Sequence, residues 1–266
     1  MKENNSKDKK IGYKIILIIR IILILVIIYC SVYIFMWYME NKKNANMLSE
    51  LTESSVIETI SIDVPIYDDN GVQQKTVEIP AYELNFDKLF SVNDSTVGWI
   101  SVPNTSIDYP VAQAKDNSFY LNHSFDKSKN TAGWIFADYR NKFDGTDKNI
   151  ILYGHNRMDT SMFATLKNTQ KSDWYNNENN KYITFTTPDG THVYEVFSVY
   201  TIKMESYYLT TDFSSDDTYL DFLNTMKSRS IHNFGVSLKS TDKILTLSTC
   251  DATGKSRVVL HAKLII

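Results

Sequence analysis

The sequence has only two cysteines and nine glycines among its 266 residues. Cys30 and Cys250 lie far apart and the five histidines are scattered, so the ligand spacing of a metal site is missing. The few glycines form no phosphate-binding loop, and no serine nucleophile elbow occurs in the sequence. These absences predict a protein that uses neither a metal nor any other cofactor.

Charge is missing from one long stretch, residues 21–39, and the wider segment 15–39 is apolar except for Arg20. A bilayer core requires about 20 such residues in a helix, and an arginine near one end can reach the headgroups. Trp37 and Tyr38 lie where an interfacial aromatic belt is expected. We therefore expect residues 15–39 to form a transmembrane anchor. A cleaved signal peptide is the alternative, but it would have a shorter apolar region and a small-residue cleavage site, which the following residues do not provide.

Basic residues are concentrated before this apolar segment. Six of the 28 lysines and arginines lie in the first 20 positions, with only two of the 31 acidic residues. Because basic flanks stay on the cytoplasmic side, residues 1–14 are predicted to be cytoplasmic and residues 40–266 to face outward from the cell membrane. The rest of the chain is acidic and lacks a basic stripe, which argues against nucleic acid as a partner.

The exterior part is predicted to consist of a linker with an N-terminal helical/β segment, residues 40–84, and a mainly β domain, residues 85–266. Apolar spacing favours a helix over residues 40–60. Turn residues at 69–71 and 188–190 favour hairpins. Short β-like runs follow one another along the rest of the chain: 61–66, 74–81, 97–102, 107–113, 132–137, 148–153, 181–187, 191–203, 243–249 and 257–265. Many short strands are typical of a closed or nearly closed β-barrel.

Two helices are expected within this β background. The first follows His155, at residues 161–168. The second, residues 216–228, has a Ser/Asp start and an apolar stripe. It precedes the strand that carries Cys250, so one helix is predicted before that strand.

Cys250 is an unpaired thiol in a compartment that tends to oxidise thiols. It ends the predicted strand 243–249, and the loop after it leads to a strand that opens with Arg257. Antiparallel neighbours lie about 5 Å apart, so the hairpin brings Arg257 beside Cys250. A guanidinium there can stabilise a thiolate or a developing oxyanion. The alternatives are a buried, inert cysteine and an ordinary surface arginine.

A cysteine nucleophile also needs a proton acceptor, and His155 is the favoured one. It ends the buried-looking strand 149–153 and precedes a polar turn, and loops at strand ends are frequent positions for catalytic groups. His192 and His261 lie inside strand patterns and are interpreted as structural or solvent-facing residues.

Several strings of the sequence resemble the class B sortases. They are TLSTC (246–250), YGHN (153–156), VGWISVPNTSIDYPV (97–111), DNSFYLNHSF (116–125), GWIFADYRN (133–141) and SMFATL (161–166). Their order and the order of His, Cys and Arg match the family over residues 85–266. The resemblance implies an eight-stranded sortase-like β-barrel with added N-terminal helices and one helix before the catalytic strand.

The resemblance also implies a reaction and a set of partners. Cys250 would cleave a C-terminal sorting signal of an exported protein after Thr and pass the acyl group to an amine of cell-wall peptide, of a lipid-linked precursor or of a pilin lysine. His155 would move the proton, and Arg257 would hold the oxyanion and the substrate backbone. The residues implied to contact the signal are Asn117, Leu121, Ser248 and Asp251.

Three other functions compete with this interpretation. A cysteine endopeptidase would release the same acyl group to water. An L,D-transpeptidase also pairs Cys with His, but its Cys follows a Ser-His-Gly turn, whereas Ser-Thr precedes Cys250. A membrane-tethered binding barrel would leave Cys250 without chemistry.

Overall fold

A computed structural model of the chain describes residues 2–67, 71–203, 205–250 and 256–266. The chain forms two compact units that divide after Ala45. It begins with helix α1 (Lys2–Ser55), in which the part from Tyr13 onward is long and apolar enough to cross a membrane. The aliphatic side chains of this stretch are exposed, as a bilayer-spanning helix requires. A signal sequence near the N-terminus can meet the same criterion of length and composition, so the helix is consistent with either.

A hairpin of two long strands, β1 (Val56–Tyr67) and β2 (Gln73–Leu84), follows α1. The predicted helix over 40–60 is therefore wrong for its last five residues. β-branched side chains alternate at Ile60, Ile62, Val64 and Ile66, and antiparallel pairing with β2 outweighs the helical spacing from Val56 onward. Val64 and Ile79 of the hairpin are buried against Tyr182 and Val193, which lie later in the same compact unit. The predicted turn at 69–71 lies largely outside the described residues.

Eight further strands close into a barrel in the order β10-β8-β7-β3-β4-β5-β6-β9. Their bounds are β3 (Thr96–Ser101), β4 (Asp108–Gln113), β5 (Phe136–Ala137), β6 (Asn149–His155), β7 (Tyr182–Thr187), β8 (Gly190–Lys203), β9 (Ile244–Cys250) and β10 (Ser256–Leu264). The predicted eight-stranded closed barrel is confirmed. Bulky apolar side chains form one core cluster, which includes the fully buried Trp99, Trp134 and Phe197.

Short helices connect the strands. They are α2 (Phe86–Val92), α3 (Ser172–Tyr175), α4 (Asp216–Ser228) and 3₁₀ turns at Phe119–Leu121, Ala164–Gln170, Glu178–Lys181 and Tyr207–Leu209. α4 confirms the predicted helix before the strand of Cys250. Ser215 and Thr218 form a capping box at its start. The predicted helix at 161–168 is instead the 3₁₀ turn from Ala164, because Met162 has a positive φ of 56° that no α-helix accommodates.

The strand order brings three strand ends to one rim of the barrel. β6 and β9 run parallel, so their last residues lie side by side. β10 is antiparallel to β9, and its first residues therefore lie at the same rim. This rim is where the predicted chemistry should be found.

Candidate active site

The register of β6 and β9 places His155 directly beside Cys250. The ladder runs in step from Asn149 opposite Ile244 to His155 opposite Cys250. Neighbouring strands lie about 4.8 Å apart, so the two residues are adjacent at the rim. Residues 149–155 and 244–250 are more than 90 positions apart in the sequence, and only the parallel pairing brings these two strand ends together.

Hydrogen bonds hold the His155 ring and backbone in place. Ring atom Nε2 lies 2.7 Å from the carbonyl oxygen of Leu121, and the His155 carbonyl accepts a 3.0 Å bond from the amide of Phe163. Because a carbonyl can only accept, Nε2 carries the hydrogen and Nδ1 is the nitrogen that can accept a proton. No described group hydrogen-bonds to Nδ1.

Burial lowers the pKa of His155, and the charges of Arg157 and Arg257 lower it further, although the bond to Leu121 acts in the opposite direction. The imidazole is therefore neutral at pH 7. A neutral ring with its proton on Nε2 is ready to receive a second proton on Nδ1, which is what a general base for a thiol requires.

Arg257 lies against the backbone that leads into Cys250. Its Nη1 donates a 3.1 Å bond to the carbonyl of Thr249, the residue before Cys250. The amide of Val258 also donates to the Thr249 hydroxyl, at 2.9 Å. A guanidinium has five N–H donors in a planar fork, and the bond to Thr249 uses only one of the donors on Nη1. No described residue accepts a hydrogen bond from the remaining donors, which can bind an anion or a substrate carbonyl.

Asn117 belongs to a buried polar network centred on Asp138. Its Nδ2 donates to Asp138 Oδ2 at 3.0 Å, and its Oδ1 accepts from the amide of Tyr139 at 3.0 Å. Tyr153 donates its hydroxyl to the same carboxylate at 2.8 Å, and Arg140 binds both carboxylate oxygens at 2.8 and 2.7 Å. Burial acts to raise the pKa of Asp138, but these hydrogen bonds and the charge of Arg140 outweigh it and lower the pKa. The fully buried Asp138 is thus an anion that fixes the orientation of the Asn117 amide.

The other three residues implied for substrate binding differ in their burial and contacts. Leu121 is half-buried, and its carbonyl is the partner of His155. Ser248 is fully buried on β9, and its hydroxyl lies 2.9 Å from that of Tyr208. Asp251 lies outside the described residues. The structure therefore brings Leu121 and Ser248 to the rim with His155, while Asn117 is connected to it through Asp138 and Tyr153.

Asp138, Arg140 and Tyr208 were not singled out from the sequence. Arg140 donates a 2.9 Å bond to the carbonyl of Leu209, so the network reaches the turn that carries Tyr208. The signal available in the sequence was an acidic residue between apolar ones in GWIFADYRN, because a carboxylate is rarely buried without partners. Two of its partners, Asn117 and Tyr153, come from other segments and could not be identified by spacing.

Metal ligation was tested on the part of the chain that the structure describes. There, no cluster of three or more His, Cys, Asp or Glu side chains has an arrangement that would hold a metal ion.

Comparison with known proteins agrees with the fold. Residues 100–265 match the model of the sortase domain family. The chain is 40% identical to sortase B of Listeria monocytogenes over 182 residues, which cover 66% of this chain and 72% of that protein.

Two solved structures are similar in fold. Sortase B from Bacillus anthracis in complex with AAEK1 has a TM-score of 0.69 and 32% identity, covering 86% of this chain and 99% of the other. A Staphylococcus aureus sortase B–substrate complex has a TM-score of 0.64 and 39% identity, covering 68% and 84%. The chain belongs to the sortase B family and is a cysteine transpeptidase of the sortase B type.

Proposed function

We propose that the enzyme cleaves a C-terminal sorting signal after its Thr residue and joins the new carboxyl group to an amine at the cell wall. The sulfur of Cys250 attacks the Thr carbonyl, and the C–N bond to the next residue breaks as the thioester forms. An acceptor amine then attacks the thioester, forms an amide and regenerates the thiol. The pairing of His155 with Cys250 on β6 and β9, with Arg257 bound to Thr249, is the observation that carries this proposal.

His155 moves the protons of both steps. Its neutral imidazole accepts a proton through Nδ1, because Nε2–H is committed to the Leu121 carbonyl. The resulting imidazolium protonates the leaving amine, and the neutral ring then accepts a proton from the incoming one. Since its low pKa makes the imidazolium a stronger acid than usual, protonation of the leaving group is favoured.

Arg257 stabilises the tetrahedral oxyanion. The bond to the Thr249 carbonyl holds the guanidinium beside the backbone of Cys250, so the charge is in position before the reaction begins. Preorganised donors of this kind typically lower a barrier by about 3–4 kcal/mol. The fork of N–H groups can also bind a backbone carbonyl of the signal peptide.

The sorting signal is proposed to contact Asn117, Leu121, Ser248 and Asp251. Asn117 presents an amide whose orientation Asp138 and Tyr139 determine. Leu121, whose carbonyl binds His155, has a half-buried side chain. Ser248 is buried below the surface of the rim, and its hydroxyl is held there by the hydrogen bond to Tyr208. The similarity to a sortase B–substrate complex supports substrate binding in general.

The N-terminal helix is proposed to be a single-pass anchor with residues 1–14 in the cytoplasm, residues 15–39 in the cell membrane and the catalytic barrel of residues 85–266 outside. This arrangement keeps the enzyme where exported proteins and lipid-linked cell-wall precursors both emerge. Protease added to intact protoplasts should digest the exterior part. Full protection of residues 40–266 would contradict the topology.

The reaction is tested with the full-length enzyme in detergent micelles and a small panel of sorting-signal peptides. Mass spectrometry should detect an acyl adduct on Cys250, and triglycine or a cell-wall peptide should convert it to an amide-linked product. Cys250→Ala should form neither species. An adduct that is lost only to water, even at saturating amine, would establish an endopeptidase instead. Full cleavage by Cys250→Ala would refute the mechanism.

A further inference from the structure

Gly133 lies against the edge of the His155 ring, at Cδ2, although the two residues belong to different segments. It is buried and has a φ of +63°, in the left-handed region. Its amide donates a 3.0 Å bond to the carbonyl of Asn130, and the next amide, that of Trp134, donates a 2.9 Å bond to the carbonyl of Tyr120. The backbone at Gly133 is thus tied to the turn that supplies Leu121.

A side chain at position 133 would have no space. A Cβ atom built there would lie 2.6 Å from the Tyr120 carbonyl oxygen, 2.8 Å from Cδ2 of His155 and 2.9 Å from the Leu121 carbonyl oxygen. Real Cβ atoms do not approach heavy atoms so closely, so at least one of these groups would have to move. Two of the three are backbone oxygens in hydrogen bonds, to the Trp134 amide and to His155 Nε2.

The imidazole is the group that gives way most easily, because it is a side chain held by a single described hydrogen bond. The other oxygen in contact, that of Leu121, is the acceptor of this bond. A methyl group at position 133 would therefore act on both partners of the one interaction that selects the tautomer of His155. Either displacement separates Nε2 from its acceptor.

We infer that Gly133 is a positioning residue for the catalytic imidazole: its missing side chain forms the slot in which the His155 ring lies with Nε2 on the Leu121 carbonyl. This inference rests on the proposed role of His155 in proton transfer. It assigns a functional reason to a glycine whose backbone conformation alone would suggest an ordinary turn. It also means that the backbone conformation of residues 130–134 helps to shape the active site.

The test compares Gly133→Ala with Gly145→Ala. Gly145 has a similar positive φ of +81°, but a Cβ built there meets nothing within 4 Å. Both substitutions strain a left-handed backbone, and only one reaches His155. In the full-length enzyme, kcat for peptide transfer should fall by about 100-fold or more in Gly133→Ala, because small misplacements of catalytic groups have effects of this size. KM should change by less than about threefold, and Gly145→Ala should remain within about twofold of wild type in both constants.

A second readout follows the imidazole itself. Histidine labelled with ¹⁵N distinguishes a protonated ring nitrogen from an unprotonated one, and His155→Ala identifies the signals of His155. Wild type and Gly145→Ala should show the Nε2–H tautomer. Gly133→Ala should show a mixture of tautomers or the other one, as expected when the bond to Leu121 is broken.

Thermal unfolding of a double-mutant cycle tests the contact without any activity. If the introduced methyl group meets the ring, Gly133→Ala should lower Tm less in a His155→Ala background than in wild type. Should Gly133→Ala alone fail to fold, recovery of folded protein in the double variant supports the inference. Failure of both variants to fold, or equal losses of Tm in the two backgrounds, overturns it.

The outcomes separate this inference from the proposed function. If His155→Ala retains full activity, the role of His155 in proton transfer is wrong. If His155→Ala is inactive while Gly133→Ala keeps near-native kcat and the Nε2–H tautomer, the proposed function stands and the role of Gly133 is refuted.

Discussion

Two histidines in the barrel illustrate the difference between a residue built for chemistry and one built for structure. His155 ends β6 at the rim and is half-buried, with one described partner on Nε2. His261 lies in the middle of β10 and is fully buried, with Nδ1 2.8 Å from the Thr246 hydroxyl and Nε2 2.9 Å from the Tyr200 hydroxyl. Burial is the main cause that lowers the pKa in both.

The difference lies in hydrogen-bonding capacity. Both ring nitrogens of His261 have partners, and the Thr246 hydroxyl continues to Asn149 Oδ1 at 2.6 Å, while Asn149 Nδ2 reaches the Thr210 carbonyl at 2.9 Å. This network connects β8, β10, β9 and β6 below the rim. A ring nitrogen without a described partner, as in His155, can exchange a proton, whereas a saturated ring holds strands together.

The largest expected effect is on turnover, from His155→Ala. Loss of a positioned acid–base group typically reduces kcat by 10²–10⁴-fold, or about 3–5 kcal/mol of barrier. The fold should be retained, because His155 contributes only one described side-chain hydrogen bond at the rim. Steady-state transfer of a fluorescent sorting-signal peptide measures the effect, with thermal unfolding as the check on folding.

His192→Ala serves as the matched control. His192 is a half-buried histidine near the start of β8, whereas the rim with Arg257 is at the end of that strand. It should change kcat by less than about twofold. Equal losses in the two variants would mean that the proximity of His155 to Cys250 has no catalytic meaning.

Arg257→Lys should have the next largest effect. Lysine retains the charge but not the planar fork, so it cannot hold the Thr249 carbonyl and a substrate oxygen together. The expected loss in kcat is about 10²–10³-fold, the size seen when one oxyanion donor is removed. Pre-steady-state acylation of Cys250 by a signal peptide measures the affected step.

Activity near that of wild type in Arg257→Lys would reassign Arg257 to a purely structural role. Arg140→Lys is the useful comparison. Arg140 also binds a backbone carbonyl, that of Leu209, but it lies in the Asp138 network. We expect its substitution to raise KM for the signal peptide more than it lowers kcat, because the network holds Asn117 and the 207–209 turn.

His261→Leu should lower stability rather than catalysis. It leaves the hydroxyls of Thr246 and Tyr200 without their imidazole partner in the core. A buried polar group that loses its partner costs about 1–3 kcal/mol, so the free energy of unfolding should fall by about 2–4 kcal/mol. Urea denaturation followed by tryptophan fluorescence measures this loss. The kcat of the folded fraction should remain within about threefold of wild type, and a selective loss of kcat would contradict the structural role.

The contrast between these histidines could be predicted only in part from the sequence. His155 was identified because it ends a buried-looking strand before a polar turn, and the barrel from the spacing of short apolar runs together with the family resemblance. His261 was placed inside a strand pattern, but its partners Thr246 and Tyr200 lie 15 and 61 positions away. Periodicity shows which side of a strand is apolar, not which polar groups meet across a core.

Two failures of the sequence-based predictions have tertiary causes. Strand β1 starts at Val56 rather than after residue 60 because its pairing with β2 is a tertiary interaction that a helical spacing pattern cannot include. The slot at Gly133 requires a positive φ at this residue and the approach of two other segments, one with Tyr120 and Leu121 and one with His155. Neither the backbone angle nor these contacts can be predicted from the string GWIFADYRN. The register that places His155 beside Cys250 likewise comes from parallel pairing across more than 90 residues.

The smallest expected effect is a dependence of stability on pH, and it sharpens the comparison because it is a property of His261. Burial, together with the charge of Arg229, lowers the pKa of His261 from 6.5 to about 3 in the folded protein. Between these values the unfolded chain binds a proton at this site and the folded protein does not. The free energy of unfolding therefore falls as the pH decreases below 6.5, and this loss is nearly complete at pH 3. Between pH 7 and pH 5 the contribution of this one site is about 2 kcal/mol.

His261→Gln isolates the effect, since glutamine keeps a donor and an acceptor but does not titrate. The burial of His155 and His192 lowers their pKa values as well, and the raised pKa of Glu195 acts in the opposite direction. These groups are common to both proteins, so only the difference between wild type and His261→Gln reports His261. Urea denaturation at pH 7, 6 and 5 should give a shallower decline for His261→Gln by about 2 kcal/mol over the range. Parallel declines would mean that the folded barrel accepts a proton on His261 as readily as the unfolded chain does, and the saturated network would then not be what keeps this ring neutral.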